Sequence, residues 1–88
     1  PQEVENVLMS HPSVFKVGVV GQKVDETEIP VAFIATKEKD LEKLKRELQD
    51  MCTRNLANYK HPRNYIFKDD LASTATGKID KKALRQEL

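Results

Sequence analysis

Cysteine appears once in these 88 residues, at position 52, and histidine twice, at 11 and 61. An intrachain disulfide is thereby excluded, and one thiol with two sequence-distant imidazoles makes no convincing zinc set. No uncharged apolar run approaches the roughly 20 residues that a helical bilayer span requires. The N-terminus carries Glu3 and Glu5 without a basic flank, so it is not read as a signal peptide, and a cytoplasmic setting is the expectation. Charge of one sign is also lacking: 15 Lys and Arg stand against 14 Asp and Glu, whereas a dedicated DNA-binding domain is strongly basic. Tyr59 and Tyr65 lie near basic residues, but two tyrosines do not make a base-stacking platform. No nucleic-acid partner is expected. Neither a Ser/His/Asp set, nor a pair of catalytic carboxylates, nor a metal site can be assembled from the sequence.

What remains is a chain with 39% apolar and 33% charged residues and a mean hydropathy of −0.60, globular rather than disordered or membranous. A chain this short forms one small domain, burying about 60–65% of its unfolded-state surface. It is too small to enclose a large substrate pocket by itself. Its first residue is Pro1 rather than methionine, which suggests an excerpt or a processed product.

Pro1 to Met9 is expected to form a helix, with Glu3 and Glu5 at its positive end and Val4, Val7 and Leu8 on one face; His11-Pro12 ends it. Val14–Gly21 and Ile29–Thr36 are β-branched segments without helical period, expected to pair as a hairpin, with Pro30 tolerable only near a strand end or edge. Their connection, 22–28, is predicted to be a projecting acidic loop, too long for a two-residue turn. Asp40 caps a second helix reaching about Leu56, whose stripe is Leu41, Leu44, Leu48, Met51 and Cys52. Asn58 to Pro62 is a turn-rich connector, Tyr65–Phe67 a third strand, and Asp80 caps a terminal helix holding Ala83, Leu84 and Leu88. The fold class is α+β, in the order helix, strand, strand, helix, strand, helix, with helices covering a three-stranded sheet.

Splitting the charge is informative. Residues 1–58 hold eight basic and ten acidic side chains, and 59–88 seven and four, so the basic excess is C-terminal. Lys78, Lys81, Lys82 and Arg85 would share one face if a helix ran through all four, a pattern suited to phosphate. For the last three the plain alternative is a solvated helix face. Lys78 differs because it follows Gly77 in the polar stretch 72–78. A P-loop, G-x-x-x-x-G-K-S/T, would need glycine where Ala72 stands and a hydroxyl where Ile79 stands, and is rejected. What survives is a lysine on a mobile, hydroxyl-rich loop, deliverable as a point charge to phosphate or carboxylate oxygens. His11 beside Pro12 is read as a turn residue, and Cys52 as a core filler.

Taken in order, several motifs resemble the C-terminal domain of the AMP-forming acyl-CoA synthetases, the adenylating superfamily that includes peptide-synthetase adenylation domains and firefly luciferase. Pro1-Gln-Glu-Val-Glu5 resembles P-x-E-I/V-E, His11-Pro-Ser-Val14 H-P-x-V, Val19-Val-Gly21 V-V-G, and Glu28-Ile-Pro-Val-Ala-Phe33 the hairpin G-E-x-P-x-A-F. Tyr59-Lys-His-Pro62 is similar to Y-K-x-P, and Thr74-Ala-Thr-Gly-Lys-Ile-Asp80 to T-x-T-G-K-I/V. The departures are Ala72 for a proline, Thr27 for a glycine, which touches the hairpin tip, and Lys81 for an arginine.

The resemblance implies that residues 1–88 are the mobile C-terminal domain of an ATP-dependent acid:CoA ligase, a fatty acyl-CoA or related synthetase. Its partners would be a carboxylic acid and an upstream AMP-binding domain holding most of the ATP, the Mg2+ and the acid, with the hinge just before Pro1. It implies that Lys78 is the adenylation lysine, that Gly77 and Thr76 join Lys81, Lys82 and Arg85 as substrate- or cofactor-binding residues, and that the last three are cations for coenzyme A phosphates. The domain would rotate to present another face for thioester formation, and alone it would neither turn over nor bind ATP tightly. The alternatives are a peptide-synthetase adenylation fragment, or a stand-alone basic module docking RNA or an acidic protein.

Overall fold

A computed structural model of the chain describes residues 2–57 and 60–88. Pro1, Asn58 and Tyr59 lie outside the described residues, and with them the first position of the expected opening helix and the tyrosine of the Tyr-Lys-His-Pro motif. The elements are α1 (Gln2–Met9), β1 (Val14–Val24), β2 (Thr27–Thr36), α2 (Leu41–Asn55), β3 (Asn64–Lys68) and α3 (Lys81–Arg85). The α+β class and the element order are as the sequence predicts. The sheet runs β1-β2-β3, with β1 and β2 antiparallel and β2 and β3 parallel.

Helices cover both faces of this sheet. Val17, Val19, Ala32 and Ile34 pack against Val4 and Leu8 of α1 and Leu44, Leu48 and Cys52 of α2. Val20, Val31, Phe33 and Ala35 pack on the other face against Leu71 and Leu84. Burial on two sides explains why the centre of β2, Val31-Ala-Phe-Ile-Ala35, is continuously apolar instead of alternating. The helix stripes follow the same logic, with i, i+4 spacing in α1 (Val4, Leu8) and α2 (Leu44, Leu48, Cys52). Leu41, expected on that stripe, is instead 40% exposed, because it sits in the first turn next to the Asp40 cap, whose carboxylate accepts the Lys43 N–H.

The hairpin departs from expectation. The strands continue through 22–24 and 27–28, down to the pair Val24↔Thr27, so the connection is a two-residue turn, Asp25-Glu26, and not a seven-residue loop. Asp25 adopts φ 55, the left-handed region that aspartate tolerates better than most residues. Opposite charges at the cross-strand pair Lys23↔Glu28 favour the extension. Thr27, where the family pattern has glycine, is accommodated as an ordinary strand residue. Pro30 lies inside the central strand, and its carbonyl accepts the Arg63 N–H at 2.8 Å. Its nitrogen faces the same side, just before the β3 ladder begins at Val31↔Asn64, so no ladder donor is lost.

His11, Cys52 and Tyr65 are structural residues. The Ser13 N–H donates to His11 Nδ1 at 3.0 Å, which leaves His11 Nε2 to donate to Glu47 at 2.8 Å, tying the turn after α1 to α2. Cys52 is fully buried with its sulfur 3.7 Å from the Tyr65 hydroxyl, and burial pushes its thiol pKa up against a smaller opposing effect of that contact. It is no nucleophile. Tyr65 is 9% exposed and stacked on Phe67, a core residue with no ring face free for a base.

Candidate functional site

The polar stretch 72–78, which its composition suggests is an irregular loop, forms a short hairpin. Ser73 pairs with Ile79 across an isolated antiparallel bridge. Within it the Thr74 N–H donates to the Lys78 carbonyl at 2.6 Å, the Gly77 N–H to the Thr74 carbonyl at 2.9 Å, and the Asp80 N–H to the Ala72 carbonyl at 2.9 Å. This is the pattern of a three-residue hairpin whose last loop residue is left-handed. Gly77 is that residue, at φ 84, and nothing stands within 4 Å of where a Cβ would be. Backbone conformation alone therefore calls for glycine here. Gly77→Ala is expected to weaken the turn by about 1–2 kcal/mol and Gly77→Asn by less, read as faster hydrogen exchange at the Thr74 amide; equal protection in all three proteins would contradict this.

Lys78 opens the second arm of the hairpin, directly after Gly77. Its side chain is exposed, and among the described residues no carboxylate or carbonyl engages the ammonium. Thr76 Oγ1 lies 3.0 Å from Thr74 Oγ1, bracing the loop from within. The four-cation helix face does not form. Asp80 caps α3 by accepting the Ala83 N–H at 3.1 Å, so the helix starts at Lys81, one turn after Lys78. Lys81 lies 2.8 Å from Glu5 of α1, while Lys82 and Arg85 are exposed. Lys81 and Arg85 share, with Gly21, Glu28 and Pro30, the lining of an open cleft of about 200 Å³ beside β1.

Three residues that sequence reasoning did not assign to the site set its position. Lys16 of β1 lies 2.9 Å from Asp70 and donates to the Leu71 carbonyl at 3.3 Å, anchoring the segment that leads into the hairpin. The Lys16 ammonium, helped by the Leu71 N–H, holds the Asp70 carboxyl below the usual carboxylate range. Gly18 of β1 faces α3: a Cβ there would lie 2.6 Å from Leu84 Cδ1 and 3.0 Å from Ile79 Cγ2. Glu5 accepts the Val19 N–H at 2.8 Å as well as contacting Lys81. Glu5 had a signal in the P-x-E-V-E motif but was read only as a helix-start acid; Lys16 and Gly18 stand in an ordinary strand pattern.

The site thus offers a cation without a partner among the described residues, on a braced turn beside a small helix. Among the described residues no group of three His, Cys, Asp or Glu side chains could hold a metal ion, and no helix is long and apolar enough to cross a membrane.

The sequence profile of the AMP-binding enzyme C-terminal domain matches residues 3–78. The chain belongs to this family, which is the C-terminal domain of adenylate-forming acyl-CoA ligases. The domain is 40% identical over 87 residues to a 2-succinylbenzoate–CoA ligase of Listeria monocytogenes, covering 98% of this chain and 18% of that one. It superposes with a TM-score of 0.86 on a benzoate CoA ligase from Burkholderia xenovorans LB400, at 40% identity over 97% of this chain and 18% of the other. The anthranilate CoA ligase AuaEII, solved in complex with anthranoyl-AMP, gives a TM-score of 0.87 at 40% identity, with 99% of this chain and 17% of that one covered. The domain therefore spans less than a fifth of the length of these relatives.

Proposed function

We propose that this domain serves an ATP-dependent, AMP-forming acid:CoA ligase, and that Lys78 is its adenylation lysine. The observation that carries the reading is the exposed, unpaired Lys78 ammonium held after Gly77 on a hydrogen-bonded turn, in a chain of this family. In the first half-reaction a carboxylate oxygen attacks the α-phosphorus of ATP, an acyl–O–P bond forms, and the bond to pyrophosphate breaks. Charge accumulates on the oxygens around that phosphorus, and a preorganised cation lowers the barrier. Lysine suits the task as a compact point charge on a long stem that reaches from one domain into another. In the second half-reaction the coenzyme A thiolate attacks the acyl carbon and AMP leaves.

ATP, Mg2+ and the acid are bound mainly by an upstream AMP-binding domain, and this domain changes orientation between the half-reactions, as small domains with modest interfaces do. Gly77 and Thr76 set the geometry of the lysine turn. Lys82 and Arg85 are the cations open to coenzyme A phosphates; Lys81 is already engaged by Glu5. The relatives named above act on succinylbenzoate, benzoate and anthranilate, so a fatty acid is one member of a wider panel of acids.

Pyrophosphate exchange by the protein carrying this domain, measured across aromatic and aliphatic acids and followed by addition of coenzyme A, tests the reading. Acid-dependent exchange with thioester formation is expected. Exchange without thioester formation would point to another adenylating enzyme, and no exchange with any acid would overturn the proposal.

A further inference from the structure

On the outer edge of β1 a carboxylate binds the strand's backbone at Val19. β1 is an edge strand, α1 packs on one face of the sheet and α3 on the other, and the Glu5 side chain spans the rim between them. Its Oε2 accepts the Val19 N–H at 2.8 Å and lies 2.8 Å from Lys81 Nζ. The Glu5 side chain is 18% exposed and that of Lys81 35%, so the pair is partly shielded from solvent screening. α3 has five residues, too few to hold its own position. Leu84 seats it over Gly18 in the cluster with Val20, Val31 and Phe33, Lys68 of β3 pairs with Glu87 just beyond its end, and Lys81 ties its first turn to α1.

From this we infer that Glu5 is a positioning residue for Lys78, acting through Lys81. The coupling path is short. Lys81 follows Lys78 by three residues, and between them Ile79 is bridged to Ser73 and the Asp80 N–H is bonded to Ala72. A shift at the start of α3 is therefore passed to the turn rather than absorbed by slack chain. Since catalysis by a point charge falls steeply with misplacement, loss of the pin lowers adenylate formation without removing any group that touches the substrate. This rests on the reading of Lys78 given above.

The test uses the full-length ligase carrying this domain. Glu5→Gln keeps an oxygen for the Val19 N–H and removes the charge that holds Lys81. It is expected to lower the kcat of pyrophosphate exchange about tenfold while leaving the KM for ATP within about twofold. Lys81→Met breaks the same pair from the other side and leaves Glu5 on Val19, so it should give the same loss if Glu5→Gln folds poorly. In a Lys78→Ala background Glu5→Gln should add less than about twofold, because there is no lysine left to position. An equal tenfold loss in both backgrounds would mean that Glu5 is merely structural, and no loss in either would also overturn the inference. If Lys78→Ala alone leaves exchange unchanged, the underlying reading of Lys78 falls; if Lys78→Ala is severe and Glu5→Gln silent, only the role of Glu5 does.

Discussion

Lys78→Ala in the full-length enzyme is expected to lower acid-dependent pyrophosphate exchange by about 10²–10³, the cost of removing one preorganised group from a developing oxyanion. The chain's folding should be untouched, because the ammonium makes no contact among the described residues and the turn is held by backbone bonds that alanine retains. Lys78→Arg keeps the charge but spreads it over a planar fork on a longer stem, so it should recover only part of the loss. Exchange within about twofold of the unaltered enzyme would mean that the charge acts elsewhere.

The second large effect falls on the seat of α3. Leu84 is 1% exposed and rests where Gly18 has no side chain. Leu84→Ala removes a buried side chain and should cost about 2–5 kcal/mol, a large share of the roughly 5–15 kcal/mol that holds a small domain together. Gly18→Ala places a methyl group where Leu84 and Ile79 already stand and should cost about 1–3 kcal/mol. The double variant Gly18→Ala/Leu84→Ala should then be more stable than the sum of the two losses allows, because the new methyl fills part of the space that Leu84 vacates. Urea midpoints of the four proteins read this directly. Strictly additive losses would show that the two residues do not share that contact.

The sequence carried the architecture because its signals were periodic. The i, i+4 apolar residues of α1 and α2, the Asp40 and Asp80 caps and the β-branched runs each pointed to one element, and all six elements are present. The hairpin tip is hidden in the sequence because Gln22, Lys23, Thr27 and Glu28 look like loop residues by composition; their pairing is supplied by the partner strand, not by local propensity. The hydrogen-bonded turn within 72–78 is hidden for a related reason. Small hydroxyl residues there suggested slack, but the bridge Ser73↔Ile79 and the left-handed Gly77 make a turn.

At the candidate site, Lys78 is singled out by its motif, and among the described residues no group pairs with it. The stripe of three lysines and one arginine does not form, since periodicity across residues 78–85 presupposes a helix that the Asp80 cap starts only at Lys81. Lys81 looked like a free cation because its partner, Glu5, is far away in sequence. Long-range pairings of this kind leave no period, and neither does the seat of Leu84 on Gly18.

The central claim concerns one half-reaction, so the most direct measurement compares both in the Lys78→Ala enzyme. Supplied with preformed acyl adenylate and coenzyme A, that variant should form thioester within about twofold of the unaltered rate while its pyrophosphate exchange is lower by about 10²–10³. Equal losses in the two half-reactions, or intact exchange, would contradict the account.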